Sequence, residues 1–98
     1  MAVMVTSKYN SIDGKMSDYT TWMRADYGLK LTRSQLGCQM VKQAIDTALS
    51  RTVIWSIWDA AEDFHAYVAL RNKDFEAIMA SMFITESFDV EISPMTDH

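Results

Sequence analysis

The stretch Thr52-Val53-Ile54-Trp55-Ser56-Ile57-Trp58 decides the fold. Val53, Trp55 and Ile57 alternate with Ile54 and Trp58, so the strand they form is apolar on both faces. Such a strand belongs in the middle of a sheet that is covered on both sides. Directly after it, Asp59 with Glu62 makes a capping-box-like start to a helix whose apolar stripe is Ala61, Phe64, His65 and Val68. The run Arg71-Asn72-Lys73-Asp74 reads as a break, after which Phe75, Ile78, Met79 and Met82 resume helical spacing. Residues 87–93 then alternate Phe88, Val90 and Ile92 against Asp89 and Glu91, a strand that Pro94 stops.

Working back towards the N-terminus, residues 38–45 form a more polar strand containing Gln39, Lys42 and Gln43, joined to residues 52–58 by a short polar connection. Gly37 just before it suits a left-handed helix cap. The helical region ahead of it carries Tyr19, Trp22, Met23, Tyr27 and Leu31 at three- and four-residue spacing, with Ser17 as its cap and Asp18 in its first turn. Gly28 marks a kink or an early stop. Residues 2–9 are a strand, again apolar on both faces at its start, and Asn10-Ser11-Ile12-Asp13-Gly14 is turn chemistry.

The order is β-α-β-β-α-β: an α+β, ferredoxin-like sandwich on a four-stranded antiparallel sheet, its first and third strands central and its second and fourth at the edges. The strands apolar on both faces are the two central ones, and the polar strands are the edges. Two helices cover one sheet face only. A bare second face would present Trp-sized side chains to water, so a second copy of the chain is the expected cover. Trp55 and Trp58 lie on opposite faces of one strand, so one belongs under the helices and the other at the subunit contact.

Composition narrows the function classes. Ninety-eight residues make one domain, 49% hydrophobic and 22% charged, which is a globular profile. The net charge of −4 and the lack of any two adjacent Lys or Arg residues argue against nucleic acid and against a membrane surface as partners. Cys38 is the only cysteine, so no internal disulfide forms and a cytoplasmic setting is expected. The first residues carry no basic segment or apolar core of a signal peptide, and no apolar run approaches the ~18 residues of a membrane span. Phosphate-loop, HExxH, CxxC and Gly-x-Ser-x-Gly motifs are absent; two His and one Cys far apart point to no metal site.

Three features together resemble the dimeric αβ-barrel superfamily, specifically its antibiotic-biosynthesis-monooxygenase-like domains. They are a helical region ending in Leu36-Gly37-Cys38 ahead of an edge strand; the run from Val53 through Trp58, Phe64 and Tyr67, where a strand ending in Trp passes into a helix; and Phe75 followed by a final strand ending near Pro94. The resemblance implies a pocket between sheet and helices lined by Trp58, Phe64, Tyr67 and Phe75, with Tyr67 where many relatives carry His. Anthrone-type members often have Asn four residues before the strand-end Trp; here that residue is Ile54. The Asn, Trp and His of haem-degrading members are not reproduced, and no cofactor is implied.

His65, an imidazole on an apolar stripe, is a candidate base or haem ligand near neutral pH; against that stands the reading that it flanks the stripe and bonds to a carboxylate or backbone group, since no second ligand or orienting partner can be named. Tyr67 joins it as the second candidate for proton transfer. Asn10, with Tyr9 and Tyr67, offers hydrogen bonds to an aromatic hydroxyl or carbonyl. The expected activity is cofactor-independent monooxygenation of a small quinol- or anthrone-like aromatic. The alternative is a non-catalytic homodimer that binds a small hydrophobic ligand or serves as an interaction module.

Overall fold

A computed structural model of the chain describes residues 1–24 and 28–96. Tyr27, expected on the first helical stripe, and His98 lie outside the described residues. The strands are β1 (Val3–Asn10), β2 (Cys38–Asp46), β3 (Arg51–Trp58) and β4 (Asp89–Pro94); the helices are α1 (Met16–Arg24), α2 (Leu29–Arg33) and α3 (Ala61–Met82). The sheet order is β2-β3-β1-β4 with every pairing antiparallel, the α+β, ferredoxin-like arrangement expected. β1 and β3 are central and run in register from Val3 opposite Trp58 to Asn10 opposite Arg51.

The two-residue side-chain period of a strand sorts the sheet into two unlike faces. Val3, Val5 and Tyr9 of β1, Val41 of β2, and Thr52, Ser56 and Trp58 of β3 are buried beneath the helices. Large apolar side chains under the helices form two separate clusters. Val3, Val5, Trp58 and Phe64 make one; Tyr9, Tyr19, Met23, Met82 and Phe83 make the other. Trp58 is 0% exposed, and its indole N–H donates to Ser56 Oγ at 2.9 Å. Burying a ring of this size contributes roughly 4–6 kcal/mol at about 25 cal/mol per Å2. The opposite face carries Met4, Thr6 and Lys8 from β1 beside Val53, Trp55 and Ile57 from β3, and no residue of it is buried. Trp55, 39% exposed, stands near its middle. The two tryptophans of β3 therefore lie on opposite faces, and Trp58 is the one under the helices.

The helical layer departs from the sequence reading in four places. The first helical region is two helices, α1 and α2, and Gly28 sits at the junction because a Cβ there would come within 2.2 Å of the Met23 carbonyl oxygen. α1 begins at Met16, which puts Ser17 inside its first turn rather than at its cap, and Lys15 pairs with Asp18 at 3.5 Å. α3 begins after Ala60 without a side-chain cap, because the Asp59 carboxylate instead accepts a hydrogen bond from Gln39 Nε2 at 2.8 Å. It then runs unbroken for 22 residues through the expected break at 71–74. The polar side chains of that run, Asn72, Lys73 and Asp74, are exposed while Arg71 is buried, and Asn72 reaches the cavity described below, so nothing in them interrupts the backbone. Gly37 does take the left-handed conformation, φ +83°.

Candidate functional site

A cavity of about 190 Å3 opens between the two core clusters. Its floor is the sheet, through Ser7, Tyr9, Ile54 and Ser56. Its roof is α3, through Phe64, Tyr67, Val68 and Arg71, closed laterally by Trp22 and Met23 of α1 and by Leu29 and Thr32 of α2. Phe88 and Val90, both exposed, mark its mouth beside the edge strand β4. The walls are mostly apolar and aromatic, the character of a small-molecule site.

One end of the cavity is polar. Arg71, 6% exposed, donates from Nε to the Tyr67 hydroxyl at 2.7 Å. One of its terminal nitrogens donates to the Gly28 carbonyl at 2.8 Å and to Thr32 Oγ1 at 3.2 Å. The Tyr67 and Thr32 hydroxyls are themselves bonded at 2.8 Å. The guanidinium carbon stands 5.2 Å from the ring centres of Trp22, Tyr67 and Phe75, so the charge is held in an aromatic surround. Helical spacing brings this about: Phe64, Tyr67, Arg71 and Phe75 follow one another at three- and four-residue steps along one side of α3.

On the floor, the Tyr9 hydroxyl is 2.8 Å from that of Tyr19, which also accepts from Gln43 Nε2. Burial, reinforced by the neighbouring Tyr19 phenol, pushes Tyr9 well above its ordinary value of 10.0; burial raises Tyr19 too. Both are neutral donors at physiological pH. Tyr9 further stacks on Phe88 at 4.6 Å, which ties the floor to the mouth.

Neither a protein-family model nor a curated protein matches the chain. Solved structures do match it closely in shape. A protein from Chloroflexus aurantiacus, provisionally named an antibiotic biosynthesis monooxygenase, superposes with a TM-score of 0.73 over 100% of this chain and 97% of its own, at 17% identity. One of the same provisional name from Deinococcus radiodurans gives 0.69 over 100% and 95%, at 14% identity. A conserved protein from Methanosarcina mazei gives 0.78 over 98% and 94%, at 10% identity. The fold is the one that these structures share. At such identities the likeness carries the fold alone.

Within that fold the residues singled out from the sequence scatter. Phe64 and Tyr67 line the cavity. Trp58 sits behind Tyr67, its ring stacked on the phenol at 5.4 Å, and Phe75 packs on Trp22 at 6.3 Å on the far side of Arg71. These four are brought together, two as walls and two as backing. Asn10 is elsewhere, at the end of β1, where its backbone N–H donates to Ser87 Oγ at 2.8 Å. His65 is exposed on α3, its ring 5.9 Å from that of Phe64, and is not a wall of the cavity. Arg71 and Thr32, and with them Asn72, are among the polar lining residues that sequence reading passed over. The signal for Arg71 was present in its place on the Phe64–Tyr67–Phe75 stripe; Thr32 had none. Among the described residues no three His, Cys, Asp or Glu side chains gather as metal ligands, and no helix is long and apolar enough to cross a membrane.

Proposed function

We propose that the chain is a cofactor-independent monooxygenase that oxidises a small quinol- or anthrone-like aromatic in the helix–sheet cavity. The observation that carries this is the cavity itself, an aromatic-walled space with hydroxyl groups at one end. At interior packing density its volume holds roughly 140 Å3 of ligand atoms, about two fused rings. A third ring would project through the mouth at Phe88 and Val90.

The chemistry asked of the protein is modest. An electron-rich aromatic, once deprotonated, can pass an electron to dioxygen. At an activated methylene carbon the overall change is two C–H bonds and O2 giving one C=O and water. The cavity supplies desolvation through Phe64, Leu29 and Val68 and a hydrogen-bonding hydroxyl on Tyr67 for the substrate oxygen. Trp58 and Phe75 fix that hydroxyl's position from behind, so in this reading they act through Tyr67 and Arg71. His65 and Asn10, outside the cavity, have no part in the step.

Metal-free protein assayed with a panel of quinols and anthrones is expected to consume oxygen, and Tyr67→Phe to slow it about tenfold or more. Inertness towards the whole panel would overturn the reading. The exposure of His65, which leaves no imidazole among the described residues that line the cavity, favours one alternative: a ligand-binding homodimer without catalysis. Tight binding with no oxygen uptake would establish that instead. Homodimerisation through the open sheet face and residence in the cytoplasm belong to the same proposal.

A further inference from the structure

The polar end of the cavity has one proton more than its internal bonds use. The Arg71 edge formed by Nε and a terminal nitrogen grips two hydroxyl oxygens, Tyr67 at 2.7 Å and Thr32 at 3.2 Å. Each hydroxyl oxygen therefore accepts from the guanidinium. Between them, at 2.8 Å, one hydroxyl donates to the other. Two hydroxyl protons enter this ring and one bond consumes one of them. If Tyr67 donates to Thr32, the Thr32 proton is left over; if Thr32 donates, the Tyr67 proton is. Neither hydroxyl has a further partner among the described residues, and both line the cavity. Thr32 is buried, so its hydroxyl has no bulk water to turn to.

We propose that this spare hydroxyl proton, with the Arg71 charge directly behind it, binds one oxygen of an aromatic ligand and selects the ligand's phenolate form. This rests on the reading of the cavity as an aromatic-binding site. The geometry separates phenolates from carboxylates. A carboxylate is bound best by the Nε-containing fork of an arginine, two parallel bonds at once. That fork is already filled by the Tyr67 and Thr32 oxygens, and the other bond from its terminal nitrogen goes to Gly28. What the Tyr67–Thr32 pair still offers the cavity is a single donor for a single oxygen. A phenolate fits, its ring between Phe64 and the apolar side chains of Leu29 and Val68. Holding the ligand as its phenolate is also the preparation that electron transfer to oxygen requires, so the polar end would set the substrate class of the proposed reaction.

The test is a binding measurement on the full chain with three probes of one shape: 4-nitrophenol, nitrobenzene and 4-nitrobenzoate. The phenolate absorption band reads the ionisation of bound 4-nitrophenol directly. The phenolate is expected to bind about tenfold or more tightly than either nitrobenzene or the neutral phenol, so that the bound phenol ionises about one pH unit or more below the free one. Tyr67→Phe combined with Thr32→Val, near-isosteric changes that avoid the buried arginine, should abolish that shift while leaving nitrobenzene affinity within about twofold. Equal affinity for phenolate and nitrobenzene would overturn the proposal while leaving the aromatic cavity intact. So would a double variant that weakens both alike, or 4-nitrobenzoate bound as tightly as 4-nitrophenolate. Failure of all three probes to bind would overturn the cavity reading, and the proposal with it.

Discussion

Trp58 shows how much a single side chain does in this molecule. Its ring closes one core cluster, its N–H is satisfied by Ser56, and its face supports Tyr67. Trp58→Ala is expected to cost about 3–5 kcal/mol, read from urea unfolding. A smaller loss than about 1 kcal/mol would mean that the neighbouring rings collapse into the space. Tyr9 and Tyr19 make a different kind of contribution. Both phenols titrate above 10.0 in the folded chain, Tyr9 the more strongly, because burial disfavours their anions. The folded state holds its protons more tightly than the unfolded one, so the stabilisation is complete below about pH 10 and is lost as the pH rises through the elevated values. Urea unfolding at rising alkaline pH should show stability falling from about pH 10 upward. Tyr9→Phe should flatten that decline, and an unchanged slope would count against the buried pair as its source.

Among the elements, the two roof helices that meet at Gly28 are the sensitive part. A methyl group at that position would run into the Met23 backbone, which cannot move aside without unseating α1. Gly28→Ala should therefore destabilise the chain by roughly 1–3 kcal/mol and loosen the cavity roof, seen as faster amide exchange in α1 and α2 than in the sheet. The sheet was legible in the sequence because a strand writes its faces with a period of two: Val53 through Trp58 announce theirs without help from the rest of the chain, and residues 87–93 alternate likewise, although as an edge strand β4 leaves all its residues exposed. The roof was less so. Whether residues 71–74 end a helix depends on where Arg71 finds its partners, and those lie some forty residues earlier, at Gly28 and Thr32. Asp59 looked like a cap for the same reason: its choice of Gln39 over the start of α3 is a contact between β2 and the β3–α3 turn that no local pattern contains. The walls Phe64 and Tyr67 could be read from the stripe, while Thr32 could not, since a lone Thr in a five-residue helix carries no mark of the cavity.

At the scale of the whole molecule the open sheet face is the feature that asks for a partner. Across it, Lys42 of β2, Trp55 of β3, Thr6 of β1 and Glu91 of β4 lie in one register row, which ends in a lysine at one border and a glutamate at the other. A second copy turned about an axis along the strands would set each Lys42 over the other's Glu91; a turn about the perpendicular axis would oppose like charges. Light scattering should give about twice the 11.2 kDa chain mass. Trp55→Glu should return the monomer, and Lys42→Glu should weaken association, with Glu91→Lys restoring it. A monomer mass for the unaltered chain would leave the face without its cover. Arg71, finally, occupies two positions at once: it is the charge at the end of the cavity and also the tie between the roof helices α2 and α3. Lineages descending from such a chain are free to drift at Met23, Leu29 or Val68, reshaping the space for new rings one mutation at a time. They cannot exchange the arginine so cheaply, so taste for ring shape should diversify while the demand for an acidic oxygen is inherited.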